Sequence, residues 1–144
     1  MNFEKSLGRY VGRLHYLLTK RLNELLEQAN ANITADQFRL LTHLWKKDGL
    51  NQQNLATYLS RDRAGVTRMI DILENQHFIT RIANQDDRRV NLIYLTKQGR
   101  ELEPLAAECA KKCLDEMTSG FNDEEREIFA SLLLKAIENL KTEI

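Results

Sequence analysis

A mainly α-helical fold carrying one β-hairpin follows from three observations on this sequence. Apolar residues recur every three or four positions over most of the chain, the period of amphipathic helices. Two short runs, 78–82 and 90–95, are instead rich in β-branched and aromatic residues and read as strands. One Pro and six Gly in 144 residues leave few helix breakers.

The first helix is predicted from about Phe3 to Gln28. Leu7, Val11, Leu14, Leu18, Leu22 and Leu25 step along one face, with Arg9, Arg13, Lys20 and Glu24 opposite. A second helix starts near Thr34, where Thr34 and Gln37 fit a capping box and Ile33 and Phe38 fit the staple around it. Phe38, Leu41, Leu44 and Trp45 form its apolar face, and Asp48-Gly49 ends it, Gly tolerating a left-handed conformation. A short third helix is capped by Asn51 and buries Leu55, Ala56 and Leu59. Arg61 to Arg63 make a brief turn. The fourth helix runs from about Ala64 to Asn75 with Val66, Ile70 and Leu73 inward. Two short helices joined by so tight a turn form a helix-turn-helix.

The two strands then enclose the charged stretch Ala83 to Arg89, so the hairpin projects from the body. Thr96 caps a fifth helix that reaches roughly Ser119, and Pro104 predicts a kink near residues 100–104. The last helix begins after Asn122, with Asp123, Glu124 and Glu125 favouring its N-terminal dipole. Ile128, Phe129, Leu132, Leu133, Ile137, Leu140 and Ile144 form a dense stripe along it. The predicted architecture is a winged helix-turn-helix over 34–95 with a two-stranded hairpin as its wing. Long helical segments flank it at 1–33 and 96–144, and their broad apolar stripes suggest dimerisation.

The net charge of zero conceals an uneven distribution. Residues 1–60 and 61–100 each carry 8 basic and 5 acidic groups, whereas residues 101–144 carry 5 and 11. A basic middle masked by an acidic end points toward nucleic acid. No apolar run approaches the ~20 residues that span a bilayer, and the first 30 residues lack a signal-peptide core. A soluble cytoplasmic protein is expected. Cys109 and Cys113 are too few for a disulfide framework.

DNA reading places the first turns of a helix at base edges in the major groove. Those positions are Arg63, Ala64, Gly65, Thr67 and Arg68. The arginines suit guanine or phosphate, Thr67 a base or phosphate, and Gly65 permits close backbone approach. The hairpin tip adds Arg88 and Arg89, which point to opposite sides of an extended chain, and a narrow minor groove attracts arginine. A carboxylate there would repel phosphate unless it served to orient a cation, so Asp87 is read as the partner of Arg89 or Arg68. The sequence holds no Gly-rich phosphate loop, nucleophile elbow or metal-binding pair, and His15, His43 and His77 lack ligand spacing. Neither an enzyme nor a bound cofactor or metal is expected.

The stretches Leu50 to Ala56, Arg63 to Glu74, Asn84 to Arg89 and Leu95-Thr96-Lys97-Gln98-Gly99-Arg100 together resemble the helix-turn-helix, wing and following helix of MarR-type regulators. The resemblance covers nearly the whole chain. It implies a triangular homodimer on a pseudo-palindromic operator, each recognition helix in a major groove and each wing at a minor groove. It also implies repression of nearby genes, relieved by a small ligand or by oxidation. Arg68 matches the recognition-helix arginine, Arg89 the wing arginine and Asp87 its acidic partner; Asn51, Gln52 and Arg61 are expected at the DNA backbone.

Effectors of that family often bind between the dimer helices and the DNA-binding lobe. The matching positions here are Tyr10, Arg13, His15, Phe38 and Trp45, suited to a small aromatic or amphipathic compound. His77 departs from the family's frequent Gly, Asn84-Gln85 from Asp-Pro, and Asn54 from a Glu that would complete a capping box. Two other readings compete: a winged-helix protein-interaction module without operator binding, and a thiol-based redox sensor using Cys109 and Cys113. For the thiols, a structural role is favoured, because Glu108, Asp115 and Glu116 blunt their reactivity.

Overall fold

The computed structural model describes residues 1–59 and 62–141. A single 3-10 turn at Phe3–Lys5 precedes α1, Leu7–Gln28. The predicted first helix is thus divided at Ser6, whose extended backbone lets its hydroxyl accept the Arg9 N–H at 3.3 Å. Leu22, Leu25 and Leu26 enter the core, while Leu7, Tyr10, Val11, Tyr16 and Leu17 stay exposed.

Helix α2, Ala35–Lys46, starts at the predicted capping box. Gln37 N–H donates to Thr34 Oγ1 at 3.2 Å and Thr34 N–H to Gln37 Oε1 at 2.9 Å. Asn23 Oδ1 accepts a third free donor, Ala35 N–H, at 2.7 Å and so ties α1 to this helix start. Gly49 adopts φ 69 beyond the helix end, and Asp48 Oδ1 accepts Leu95 N–H at 2.8 Å. That turn delivers a two-residue strand, β1 (Leu50–Asn51), to the sheet.

Helix α3, Gln52–Tyr58, is capped by Asn51, as expected, and α4 spans Arg63–Asn75. His77 ends α4 in the left-handed region, φ 65, a conformation His adopts more readily than most residues. The wing strands are β2, Ile79–Ala83, and β3, Asn91–Leu95. They pair antiparallel from Ile79 opposite Leu95 to Ala83 opposite Asn91. Leu50 sits opposite Ile93, so the sheet has three strands in the order β1-β3-β2. Two residues are too few to show a period, which is why sequence patterning yields only the hairpin.

The helical run is interrupted at the expected place, although Leu102 keeps a helical backbone and its N–H and C=O still bond to Gln98 O and Ala106 N–H. Helix α5, Lys97–Glu101, and α6, Glu103–Met117, meet at Leu102. Pro104 cannot donate to Arg100 and its ring would strike that carbonyl, so it occupies the first turn of a new helix. Helix α7, Asp123–Leu140, begins at a complete capping box between Asn122 and Glu125.

The chain divides into two compact units, Met1–Cys113 and Leu114–Ile144. In the first, Leu26, Leu40, Leu41, Leu44, Leu55, Val66, Ile70, Leu73, Ile79 and Ile93 are fully buried. In the second, α7 buries none of its residues, although Phe121 and Phe129 meet edge to face at 5.9 Å. No helix among the described residues is long and apolar enough to cross a membrane.

Candidate nucleic-acid interface

Burial of Val66, Met69, Ile70 and Leu73 fixes which side of α4 faces the core. Arg63, Ala64 and Arg68 are left exposed at its N-terminal half. Asp62 caps this helix, its Oδ1 accepting Gly65 N–H at 2.7 Å. A Cβ on Gly65 would lie 2.7 Å from the same oxygen. The glycine therefore also makes room for the cap, a reason that sequence patterning does not supply.

Thr67 is held from two sides. Its hydroxyl donates to Arg63 O at 2.8 Å and accepts from Gln52 Nε2 at 2.8 Å. This second bond couples the start of α3 to α4. Asn51, Gln52, Gln53, Arg63, Thr67, Arg89, Val90 and Asn91 line a cavity of about 230 Å³. Residues from α3, α4 and the wing thus converge on one polar recess. Gln53, Val90 and Asn91 are additions that sequence patterning does not single out: Gln53 lies in α3, and only the hairpin's return brings Val90 and Asn91 beside it. Arg61 lies outside the described residues.

The wing tip is organised by its own backbone. Asn84 Oδ1 accepts Asp86 N–H at 2.9 Å, Val90 N–H donates to Asp87 O at 3.0 Å, and Asn84 N–H donates to Val90 O at 2.8 Å. Asp87 pairs with Arg89, one of the two partners left open by the sequence. Arg89 Nε donates to Asp87 Oδ1 at 3.0 Å and Nη2 to Oδ2 at 3.2 Å, and the Arg89 backbone N–H also reaches Oδ1 at 3.1 Å. These bonds hold the Asp87 carboxyl below the ordinary carboxylate range. The Arg89 side chain is still 91% exposed, so its charge is aimed and remains available. Arg88 is exposed beside it.

The sequence pattern of the MarR family matches residues 33–90, which contain the helix-turn-helix and the wing to its tip. A MarR transcriptional regulator from Methanosarcina mazei is similar in fold, with a TM-score of 0.85 and 29% identity, covering 93% of this chain and 96% of that one. The chain belongs to the MarR family.

Two further likenesses bear on the site. The HTH-type transcriptional regulator YybA of Bacillus subtilis is 26% identical over 81% of this chain and 77% of its own length. The transcriptional repressor CouR bound to a 23-mer DNA duplex is 26% identical, with a TM-score of 0.84 over 93% of this chain and 94% of CouR. The MarR family is one of DNA-binding transcriptional regulators and not of enzymes, and that is the class of this protein.

The positions matched to MarR-family effector sites fall into two groups. Phe38 and Trp45 pack together half-buried, ring centroids 5.9 Å apart, and Trp45 Nε1 donates to Gly99 O at 2.9 Å. Tyr10, Arg13 and His15 lie exposed on α1. Among the described residues, no hydrogen bond or ring contact joins them to the aromatic pair. The two thiols are buried and face main-chain carbonyls, Cys109 toward Leu25 O at 3.6 Å and Cys113 toward Leu18 O at 3.7 Å. Burial, with Glu108 beside it, pushes the Cys109 thiol up. A thiol kept protonated is a poor nucleophile, and Cys109 packs α6 against α1.

Proposed function

We propose that the protein acts as a homodimeric repressor on a pseudo-palindromic operator, and that a small aromatic or amphipathic effector modulates binding. The recognition helix reads the major groove with Arg63, Ala64, Gly65, Thr67 and Arg68. The wing enters the minor groove with Arg89, aimed by Asp87 and accompanied by Arg88. Asn51, Gln52 and Arg61 hold the sugar-phosphate backbone. Residues 34–95 form the DNA-binding part, and 1–33 and 96–144 the dimerisation parts. The observation that carries this reading is the convergence of Arg63, Thr67 and Arg89 with Asn51 and Gln52 on one recess. It supplies donors from two reading elements on a single face.

The dimer is supported by what each unit leaves uncovered. Leu7, Val11 and Leu17 on α1 are 80%, 60% and 43% exposed, and Ile128, Leu132, Ile137 and Leu140 on α7 are all more than half exposed. Stripes of this kind seek a partner surface. The effector reading carries over from the MarR family and is supported here by the half-buried pair Phe38 and Trp45.

Arg89→Ala tests the assignment. Truncating one specific arginine contact costs about 1–3 kcal/mol of operator affinity, whereas the exposed side chain contributes little to folding. Operator titrations at fixed salt, with the dimer checked by sedimentation, read the effect. Unchanged affinity in a dimeric variant rejects the assignment.

A further inference from the structure

We propose that Arg81 is a positioning residue for DNA binding: it clamps the wing to the recognition helix and so sets the span between Arg68 and Arg89. This rests on the reading that α4 and the wing engage DNA together.

Arg81 lies in β2, outside the DNA-facing recess. Its Nη1 donates to Glu74 Oε1 at 2.9 Å and its Nη2 to Asp71 Oδ1. Its backbone N–H donates to Glu74 Oε2 at 3.1 Å. Asp71 and Glu74 are three residues apart, on neighbouring turns of one face of α4. The planar guanidinium meets both carboxylates with two fixed donors, an arrangement a point-charge ammonium cannot copy.

The strand register explains why Arg81 is free to do this. Thr96 N–H donates to Phe78 O and Asn84 N–H to Val90 O. Residues 78, 80, 82 and 84 therefore turn their backbone groups toward β3. Arg81 turns its own toward the open edge of the sheet, and Glu74 takes that N–H. One glutamate thus fixes both the main chain and the side chain of the same wing residue. The Arg81 side chain is only 21% exposed, against 38% for Glu74 and 53% for Asp71.

The clamp sits where the two DNA-reading arms diverge. Arg68 is six residues from Glu74 along α4, about 9 Å at helical rise. The wing tip begins three residues beyond Arg81, about 10 Å at strand rise. A swing of about 10° at the clamp displaces the start of the tip by nearly 2 Å on an arm of that length, enough to lose a hydrogen bond. Partly exposed ion pairs contribute little to stability, so the larger consequence falls on geometry.

The test is the double variant Asp71→Ala/Glu74→Ala. It removes two negative charges and introduces the best helix former. Bulk electrostatics and helix stability alone therefore predict tighter DNA binding. Loss of positioning predicts weaker binding, by about tenfold. The same pair is made in the Arg89→Ala background, where a misplaced wing has little left to lose and the expected change is under about threefold. Arg81→Lys, which keeps the charge but not the fork, is run through the same cycle. It serves as the readout if the alanine pair impairs folding, as judged by thermal melts. Unchanged or tighter binding, or an equal loss in both backgrounds, overturns the clamp. If Arg89→Ala alone has no effect, the reading of the wing fails, and that outcome is distinct from failure of the clamp.

Discussion

Gly99→Ala should destabilise this protein, although Gly99 is helical and the same exchange in an exposed helix stabilises by about 1 kcal/mol. Gly99 is buried in α5. A Cβ built there lies 2.1 Å from Phe78 O, 3.1 Å from Phe78 C and 3.2 Å from Leu95 Cδ2. A carbon needs about 3.5 Å from such neighbours, so more than an ångström of separation must open. Neither side yields readily, because Phe78 O accepts Thr96 N–H at 3.0 Å and Gly99 O accepts Trp45 Nε1–H at 2.9 Å. Overpacking costs about 1–3 kcal/mol, and a collision with main chain belongs at the upper end. Loss of one of the two hydrogen bonds adds about 1 kcal/mol. Set against the helix gain, the net loss is about 2–3 kcal/mol. Urea unfolding at one fixed protein concentration, since the midpoint of the proposed dimer depends on it, reads this directly. A midpoint equal to or above that of the parent protein would refute the reasoning.

Asp87 is held below the ordinary carboxylate range by Arg89. The wing pair should persist through neutral and mildly acidic pH and dissolve only as pH falls through that lowered value; carboxyl NMR should show the Asp87 midpoint rising in Arg89→Ala, and an unmoved midpoint would contradict the pairing. The buried Cys109 thiol, pushed up by its surroundings, should alkylate slowly in the native state and rapidly in denaturant. Fast native labelling would restore the redox reading. Removing residues 122–144 should convert the proposed dimer to monomer in sedimentation, and a truncated chain that remains dimeric would place the interface elsewhere.

Much of the scaffold was legible because its signals are local. The Thr34 and Gln37 capping box and the Asn51 cap each depend on residues a few positions apart, and each appears where the spacing puts it. Gly49 is left-handed as expected, but α2 already ends at Lys46 with Lys47 extended, so Gly49 shapes the turn beyond the helix and not its end. The Asp87 and Arg89 pair was among the partners expected, but not by the extended geometry: residues 87–90 form a turn closed by Val90 N–H to Asp87 O, and Arg89 bonds back to the Asp87 carboxylate through its main chain and its side chain. Contacts made by chain reversal were not legible. The strand β1 is too short to have a period, and its partner Ile93 is more than forty residues away. Arg81 reads as an ordinary strand residue until β2 returns along α4 and meets Asp71 and Glu74. The clash that demands Gly99 involves a carbonyl twenty-one residues earlier in sequence. The effector positions show the opposite case. Resemblance names Tyr10, Arg13, His15, Phe38 and Trp45 together, whereas among the described residues the ring contact within this set is that of Phe38 with Trp45.

The measurement that bears most directly on the central claim is a titration of the duplex upstream of the protein's own gene at two salt concentrations, with random duplex as competitor. Phosphate contacts release counterions, so a protein using several lysines and arginines loses affinity steeply as salt rises. Tight binding that weakens with salt and survives excess random duplex is the predicted result. Weak, salt-insensitive binding, equal for both duplexes, would contradict the account.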